Sequence, residues 1–483
     1  MKLERTTTGL IIHNPDNIVK RKLLQYFSLV NPVREYFIYS GNDRSRPPIF
    51  GKDHDVVYVT SGFLGINDPI IRSLPRPEVI QPMTPKSIDL NMNREPRSQL
   101  QEDCIKMMID PNNRHSKLTI ELKPGTGKTF IATYAISKIK LKPLIVAPTS
   151  LLKNQWCEEF QNVGIDKRDI ARDIYDAPNK KVCVVTISSI ENALREDWEG
   201  LMNVVAKSGF GIKVVDEAHL HLKGILKFDA ICNIRHNWYL SATLGRSDVL
   251  EDNILNRALS DAERFVGNAK YEEYQHQYVN VFFQDIYYYP STKLCAQCFK
   301  YGSKGLIKAT YYRMLMEYKM GIPFINNILY MMKVAKKTIT YDGKILVLIP
   351  LINIIDRVKE AMDNDPFFSQ STYSGIDGSM PLATRRRAMD CEYILSTSLS
   401  MGTGVDVSNL AAVINFDQYS SPIIGEQIFG RLRDRGKETW YYDITDHVKQ
   451  AKMFANWGYK RHQLIPYYPG SRDTIRQLPD IRC

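Results

Sequence analysis

Long apolar runs are missing. Nothing in the 483 residues approaches the roughly 18 consecutive apolar positions that a membrane-crossing helix needs. The opening Met1-Lys2-Leu3-Glu4-Arg5 lacks the apolar core of a secretory signal, so a cytosolic protein is expected (host cytoplasm, for a viral chain). Cysteine is sparse. Its eight copies, at 104, 157, 183, 232, 295, 298, 391 and 483, are too scattered for a disulfide framework and fit a reducing compartment. Cys295 and Cys298 make a CxxC without a second pair at zinc-site spacing, so an incidental pair in a connector competes with a metal or redox role. Low-complexity tracts and short-period repeats are absent as well.

An acidic excess is also lacking: 64 Lys and Arg against 53 Asp and Glu leave a net charge of +11. Such a balance favours a polyanionic partner without separating nucleic acid from an anionic membrane. Residues 293–344 concentrate it, with ten Lys/Arg against Glu317 and Asp342, and with Tyr301, Tyr311, Tyr312 and Tyr318 interleaved. Surfaces that contact phosphates and bases have this texture; so does a solvated, lysine-rich helical face.

The apolar pattern falls into blocks. Residues 1–92 alternate short apolar runs with turns such as Gly41-Asn42-Asp43-Arg44 and Arg46-Pro47-Pro48, and read as a small α/β domain ending in a proline-rich linker. From 93 to 265, short strands alternate with helical patterns, the signature of a parallel sheet covered on both faces. The same alternation resumes over 343–464. Between them lies the basic connector, 266–342, and after them an uninterpreted tail, 465–483. The expected fold class is therefore α/β, with two parallel-sheet domains and a small N-terminal α/β domain.

Two short stretches carry the chemistry. Lys123-Pro124-Gly125-Thr126-Gly127-Lys128-Thr129 sits between a predicted strand and a predicted helix, where a phosphate-binding loop belongs. Its glycines let backbone N–H groups face an anion at a helix N-terminus. Lys128 would reach the β and γ phosphates of ATP, and the Thr129 hydroxyl would ligate Mg²⁺. Asp216-Glu217-Ala218-His219 ends the apolar strand Ile212–Val215. There Asp216 can hold the metal while Glu217 orients and deprotonates a water. Two acids after a strand are usually a solvated turn; downstream of a phosphate loop, the catalytic reading is preferred.

With these residues in view the chain resembles the superfamily 2 helicases, built on two RecA-like motor domains. The tetrad spells DEAH, and Ser241-Ala242-Thr243 follows it as that family's coupling motif, implying that His219, Ser241 and Thr243 relay nucleotide state. The family relaxes the first glycine of the phosphate loop, where this chain has Leu122. Pro148-Thr149-Ser150 with Gln155 resembles motif Ia, and Thr186-Ile187-Ser188 a second strand-contacting motif; both also read as helix-capping turns. Met401–Val407 resembles motif V, which implies that Gly404 and Asp406 face nucleotide while Ser396 and Thr397 contact nucleic acid. Gln427-Ile428-Phe429-Gly430-Arg431-Leu432-Arg433 resembles motif VI, with Gln427 and Arg431 at the ATP site. Asp434 stands where a second arginine is expected, so the arginine finger stays open between Arg433 and Arg435. Gln101 is the candidate adenine reader, Gln99 the second choice. Arg385-Arg386-Arg387 reads as a solvated face or a nucleic-acid contact.

Below that level the resemblance is to the phage UvsW, RecG and XPB-like group of DNA motors. It rests on Ser241–Asp248 as an extended third motif and on an N-terminal segment similar to a substrate-recognition domain. It implies an ATP- and Mg²⁺-dependent DNA helicase or translocase acting on forked and branched DNA, with replication or recombination proteins as further partners. Three alternatives share part of the pattern: a DEAH-type RNA helicase, the translocase subunit of a restriction system, and a binding protein with a dead ATPase site.

Overall fold

The computed structural model describes residues 1–30, 33–40, 56–111, 116–123, 125–242, 244–246, 248–268, 270–271, 279–289, 307–317, 320–377, 380–398, 400, 407–432, 437–448, 452–465 and 471–482. The chain divides into two compact units, Met1–Gly267 and Asn268–Cys483.

Unit 1 opens with β1 (Lys2–Arg5), β2 (Gly9–His13), α1 (Asn17–Phe27), the hairpin β3 (Ser28–Val30) and β4 (Val33–Glu35), then β5 (Ile38–Ser40), β6 (Val56–Thr60), α2 (Pro69–Arg72) and β7 (Glu78–Val79). Five of these strands form a sheet in the order β5-β6-β2-β1-β7. A second sheet follows, built by α3 (Gln99–Ile109), β8 (Lys117–Glu121), α4 (Lys128–Ile139), β9 (Pro143–Ala147), α5 (Ser150–Asn162), β10 (Ile170–Ala171), β11 (Val182–Thr186), α6 (Ile187–Ser208), β12 (Ile212–Val215), α7 (Leu222–Ile231), β13 (His236–Ser241), α8 (Val249–Ala258) and β14 (Glu263–Val266). Its order is β10-β11-β9-β12-β13-β8-β14, and every pairing is parallel. The central strands β9 and β12 are buried along their whole length, which is why they read as unbroken apolar runs.

The N-terminal sheet does not stand apart, as its texture suggests. Leu10, Leu23, Phe27 and Phe63 share one core with Phe228, Leu255 and Ala258 of the parallel-sheet layer. Two glycines make the seam possible: a Cβ on Gly9 would lie 2.4 Å from the Ala230 carbonyl oxygen, and one on Gly62 would lie 2.4 Å from that of Arg257. Thr6 and Thr8 donate to the carbonyls of Cys232 and Asp229, each at 2.8 Å, closing the end of α7. Beneath the seam the fully buried Lys213 pairs with Asp229, which also accepts from Tyr239 at 2.7 Å.

Unit 2 contains β15 (Val279–Tyr288), α9 (Lys308–Glu317), α10 (Gly321–Thr338), β16 (Lys344–Leu348), α11 (Ile352–Asp363), β17 (Tyr373–Ile376), α12 (Leu382–Ala388), β18 (Tyr393–Ser396), β19 (Leu410–Asn415), α13 (Pro422–Phe429), β20 (Thr439–Val448), α14 (Met453–Leu464), β21 (Ser471–Gln477) and β22 (Ile481–Arg482). Its sheet runs β17-β18-β16-β19-β20-β15-β21, with β22 also on β15, all parallel.

The expected boundaries at 342 and 464 are not seams. The stretch read as a connector supplies β15 and two helices, and the uninterpreted tail supplies β21 and β22, because β15 offers both its edges for pairing. The tyrosines expected on a nucleic-acid surface are also relocated. Tyr311 and Tyr312 are fully buried beside Phe454, while Lys308, Lys333 and Lys336 pair with Asp417, Asp365 and Glu392 at 2.5–2.6 Å. Cys295, Cys298, Tyr301 and Tyr318 lie outside the described residues, as do the expected turns 41–44 and 46–48. Among the described residues no helix is long and apolar enough to cross a membrane, and no cluster of metal-ligating side chains occurs.

Two buried acids tie helices to the second sheet. Arg461 of α14 reaches both oxygens of Asp443 at 3.1 Å. Tyr312 of α9 donates to Asp446 Oδ2 at 2.6 Å, while Oδ1 of that carboxyl has no hydrogen-bond partner among the described residues. Burial pushes Asp446 up to about 7, against about 3.9 for an aspartate in the unfolded chain. A raised carboxyl stabilises the fold fully below the unfolded value and loses that contribution as pH rises through the folded one. Denaturant midpoints of the wild type should therefore fall between pH 5 and pH 8, by the equivalent of about 1–3 kcal/mol from this group. Asp446→Asn should flatten that part of the profile.

Candidate functional site

The carboxyl ends of β11, β9, β12, β13 and β8 lie side by side, because these strands are parallel neighbours. Lys128, Thr149, Thr186, Asp216 and Ser241 lie on or just beyond this edge. At the end of β8 the chain turns through Gly125 (φ 86°) and Gly127 (φ 87°), left-handed conformations natural to glycine, and enters α4 at Lys128. The first-turn N–H groups of α4 have no intrahelical partner, which makes this end a ready anion site. Lys128 Nζ rests on the Leu122 carbonyl at 3.0 Å and lies 3.8 Å from Glu217 Oε1. Thr126 Oγ1 donates back to Lys123 O at 2.9 Å. Thr129 follows in the first turn, half-buried, and Pro124 lies outside the described residues.

Gln101 does touch this loop, but its amide is engaged there. Nε2 donates to Thr126 O at 2.8 Å, and Oε1 accepts from Arg97 N at 3.0 Å. Arg97 also donates to Gly125 O at 3.0 Å. The second choice, Gln99, is exposed and bonded to Asp103.

The acids arise where β12 stops. Asp216 N donates to Val146 O at 2.9 Å, and Glu217 then takes a left-handed conformation with φ 48°. That costs a residue with a Cβ about 1–2 kcal/mol, and the turn is held by Ala218 N on Leu240 O and Leu220 N on Glu217 O, both at 2.9 Å. Asp216 Oδ1 accepts from Glu217 N at 3.0 Å, and Oδ2 from the indole of Trp156 at 2.9 Å. Burial first, then the neighbouring Glu217 charge, pushes the Asp216 carboxyl up to about 6. Among the described residues, Glu217 Oε2 is buried without a hydrogen-bond donor. It lies 3.4 Å from His219 Nδ1, on a ring that burial and the charges of Lys128 and Arg246 drive down to about 3 and so keep neutral. The same Nδ1 is 2.8 Å from Ser241 Oγ. Thr243 lies outside the described residues.

These residues fit a magnesium nucleoside triphosphate. An amide-lined turn and a lysine suit phosphate oxygens. Two adjacent carboxylates, Asp216 buried and Glu217 half-buried, suit a divalent cation that would favour the ionised form of the raised Asp216 carboxyl. Thr129 and Asp216 are the residues that would hold such a cation.

The turns expected to touch nucleic acid begin helices on the same edge. Pro148 is buried; Thr149 caps α5, its hydroxyl accepting from Leu152 N at 3.3 Å; Ser150 is exposed and Gln155 half-buried. Thr186 caps α6 through Ser189 N at 3.3 Å, and Ser188 is exposed. Capping and exposure therefore coexist here, as both readings of these turns require.

In unit 2 the expected contact Ser396 lies in the interior. It is fully buried at the end of β18, and its hydroxyl donates to Ile376 O of the neighbouring β17 at 2.7 Å. Thr397 is nearly buried and donates to Ser400 Oγ at 2.9 Å. Gln427 is largely buried on α13, and Arg431 borders a small cavity with Tyr341, Asn409 and Lys437. Gly404, Asp406, Arg433 and Arg435 lie outside the described residues, so the choice of finger stays open.

Two braces of the site leave no local signal in the sequence. Trp156 was visible as the aromatic ending Leu151-Leu152-Lys153-Asn154-Gln155-Trp156, yet nothing in the string says that its indole meets Asp216. Arg246 donates to the His219 carbonyl and pairs with Glu251, which in turn accepts from Tyr36 of the N-terminal sheet at 2.9 Å.

Residues 94–245 match the family model described as "Type III restriction enzyme, res subunit". The chain is similar to the putative ATP-dependent RNA helicase QP509L of African swine fever virus (isolate Pig/Kenya/KEN-50/1950), 29% identical over 190 residues, covering 35% of this chain and 34% of that protein. It is also similar to the general transcription and DNA repair factor IIH helicase/translocase subunit XPB of Danio rerio, 27% identical over 171 residues, 33% of this chain and 22% of that one. The chain thus spans about a third or less of the length of these relatives. Among solved structures, S. cerevisiae Dbp5 bound to RNA and ADP BeF3 superposes with a TM-score of 0.51 at 14% identity, covering 79% of this chain and 90% of that one. The fold is that of RecA-like helicase domains. The family-model match lies within unit 1 and includes the phosphate loop.

Glu217→Gln removes a carboxylate without removing Lys128 or the loop. Nucleotide binding, read by a fluorescent ATP analogue, should stay within about two-fold of wild type, while turnover should fall by about 10²-fold or more, the scale of a positioned general base. Wild-type turnover in that variant would take Glu217 out of the chemistry.

Proposed function

We propose that this chain is an ATP-dependent motor on DNA: a nucleic-acid-stimulated ATPase that uses hydrolysis to translocate along, unwind or remodel forked and branched DNA. The observation that supports it best is the shared edge of unit 1. The phosphate loop with Lys128, the acids Asp216 and Glu217, and the capped turns at Thr149 and Thr186 all end parallel strands of one sheet, so nucleotide state and strand contacts can be linked through a rigid layer. Asp216 and Thr129 would hold Mg²⁺, and Glu217 would take the proton of the attacking water. His219 and Ser241, with Thr243, would carry the change onward. In this reading Pro148, Thr149, Ser150, Gln155, Thr186, Ser188 and Thr397 lie along the nucleic-acid path. Gly404, Asp406, Gln427 and Arg431 would serve the nucleotide, along with a finger from Arg433 or Arg435. The N-terminal sheet would read substrate shape, and replication or recombination proteins would be its company.

Similarity to XPB, a DNA repair factor subunit by its name, supports DNA as the track. The viral relative named as an RNA helicase supports the second reading, an RNA substrate. Equal-length single strands, duplexes, forks and four-way junctions of DNA, with matched RNA, separate the two in one ATPase series. Forked or branched DNA should stimulate most, and the effect should weaken steeply with added salt because phosphate contacts release counterions. Stronger stimulation by RNA would replace the DNA reading; stimulation by neither would end the motor reading.

A further inference from the structure

The carboxylate of Asp216 is held from two sides. Its Oδ1 takes the N–H of Glu217, in its own turn, at 3.0 Å, and its Oδ2 takes the indole N–H of Trp156 at 2.9 Å. Donors on different elements fix both the position and the plane of a carboxyl, leaving each oxygen lone pairs that point elsewhere. Trp156 is itself immobile. It is fully buried in α5 and stacks on Phe160 at a centroid distance of 6.2 Å and an interplanar angle of 29°. An apolar core needs only the area of the ring. A Phe or Leu would fill such a site, whereas a buried indole brings a polar N–H that usually finds an acceptor. Here the acceptor is the acid, and the pair is 60 residues apart in sequence.

We infer that Trp156 is a positioning residue for the metal-binding acid: its indole N–H sets the orientation in which Asp216 meets a magnesium-bound nucleotide, and it links that orientation to α5. The inference rests on the motor reading above. The helix that carries Trp156 begins at the Thr149 turn proposed to hold nucleic acid, so a shift of α5 is transmitted to the carboxylate through one hydrogen bond. Glu217 from the same turn and Lys128 from α4 also act on Asp216 through their charges, while the donor on Oδ2 is the indole.

Trp156→Phe keeps an aromatic ring and deletes the N–H. With the full chain, binding of a fluorescent ATP analogue is followed while Mg²⁺ is titrated. Analogue affinity without metal should stay within about two-fold of wild type, since the phosphate loop is untouched. The Mg²⁺ concentration at half-effect should rise about ten-fold or more, the scale on which partners of metal ligands act. An unchanged Mg²⁺ midpoint in a folded variant overturns the inference. Should Trp156→Phe fail to fold by thermal unfolding, benzothienylalanine at 156 tests the same point, because sulfur replaces the N–H in a ring of nearly the same shape; there too a wild-type midpoint overturns the inference and a raised one supports it. Loss of any Mg²⁺-dependent nucleotide binding in the wild type would instead remove the motor reading, and this inference with it.

Discussion

Two carboxylates on consecutive residues, one buried and one half-buried beside Lys128, are the constraint around which unit 1 is organised. Left alone, Asp216 and Glu217 repel each other in a medium that solvates neither well, and the raised Asp216 carboxyl registers that cost. The surroundings are arranged to tolerate it without cancelling it. A strained turn at Glu217, a neutral imidazole at His219, an indole on Asp216 and an amine almost 4 Å away hold the charges in place and leave them under-compensated. A site fully neutralised by its own side chains would have little affinity for a cation. Incomplete compensation is what makes a metal-linked anion the natural complement of this edge.

The parallel sheets and this chemistry were legible because both are local in sequence. Strands buried on both faces appear as apolar runs, and a phosphate loop or an acid pair occupies adjacent residues whose backbone path is set by glycine or by a strand end. What stayed hidden depends on contacts across the chain. The indole of Trp156 on Asp216 and the Arg246–Glu251–Tyr36 series join segments whose proximity only the folded sheets create. The basic, tyrosine-rich stretch misled for the same reason. Charge and aromaticity are properties of composition, but whether Tyr311 and Tyr312 face water or Phe454 is decided by α9 lying against β20. Ser396 is similar: its own segment does not reveal that its hydroxyl is engaged by the Ile376 carbonyl of the neighbouring strand.

Unit 2 shows how ordinary alternation can conceal a strand. Val279–Tyr288 alternates buried and half-buried positions instead of running uniformly apolar, as befits a strand near the side of a sheet. It lies next to β20 in space and more than 150 residues before it in sequence. Such a strand, whose partners on both edges come from the far end of the chain, commits the fold to long-range closure, and the last residues become part of the sheet instead of a tail.

The glycine seam of unit 1 bears on modularity. Where two layers are separated by solvated linkers, evolution or an engineer can exchange one as a cassette. Here Gly9 and Gly62 bring backbones within a distance that no other residue type permits, and apolar side chains from both sheets interlock behind them. The N-terminal layer is therefore a fixed wall of the first parallel-sheet domain, and a graft would succeed only if it carried the donor's own version of α7 and α8 along with it.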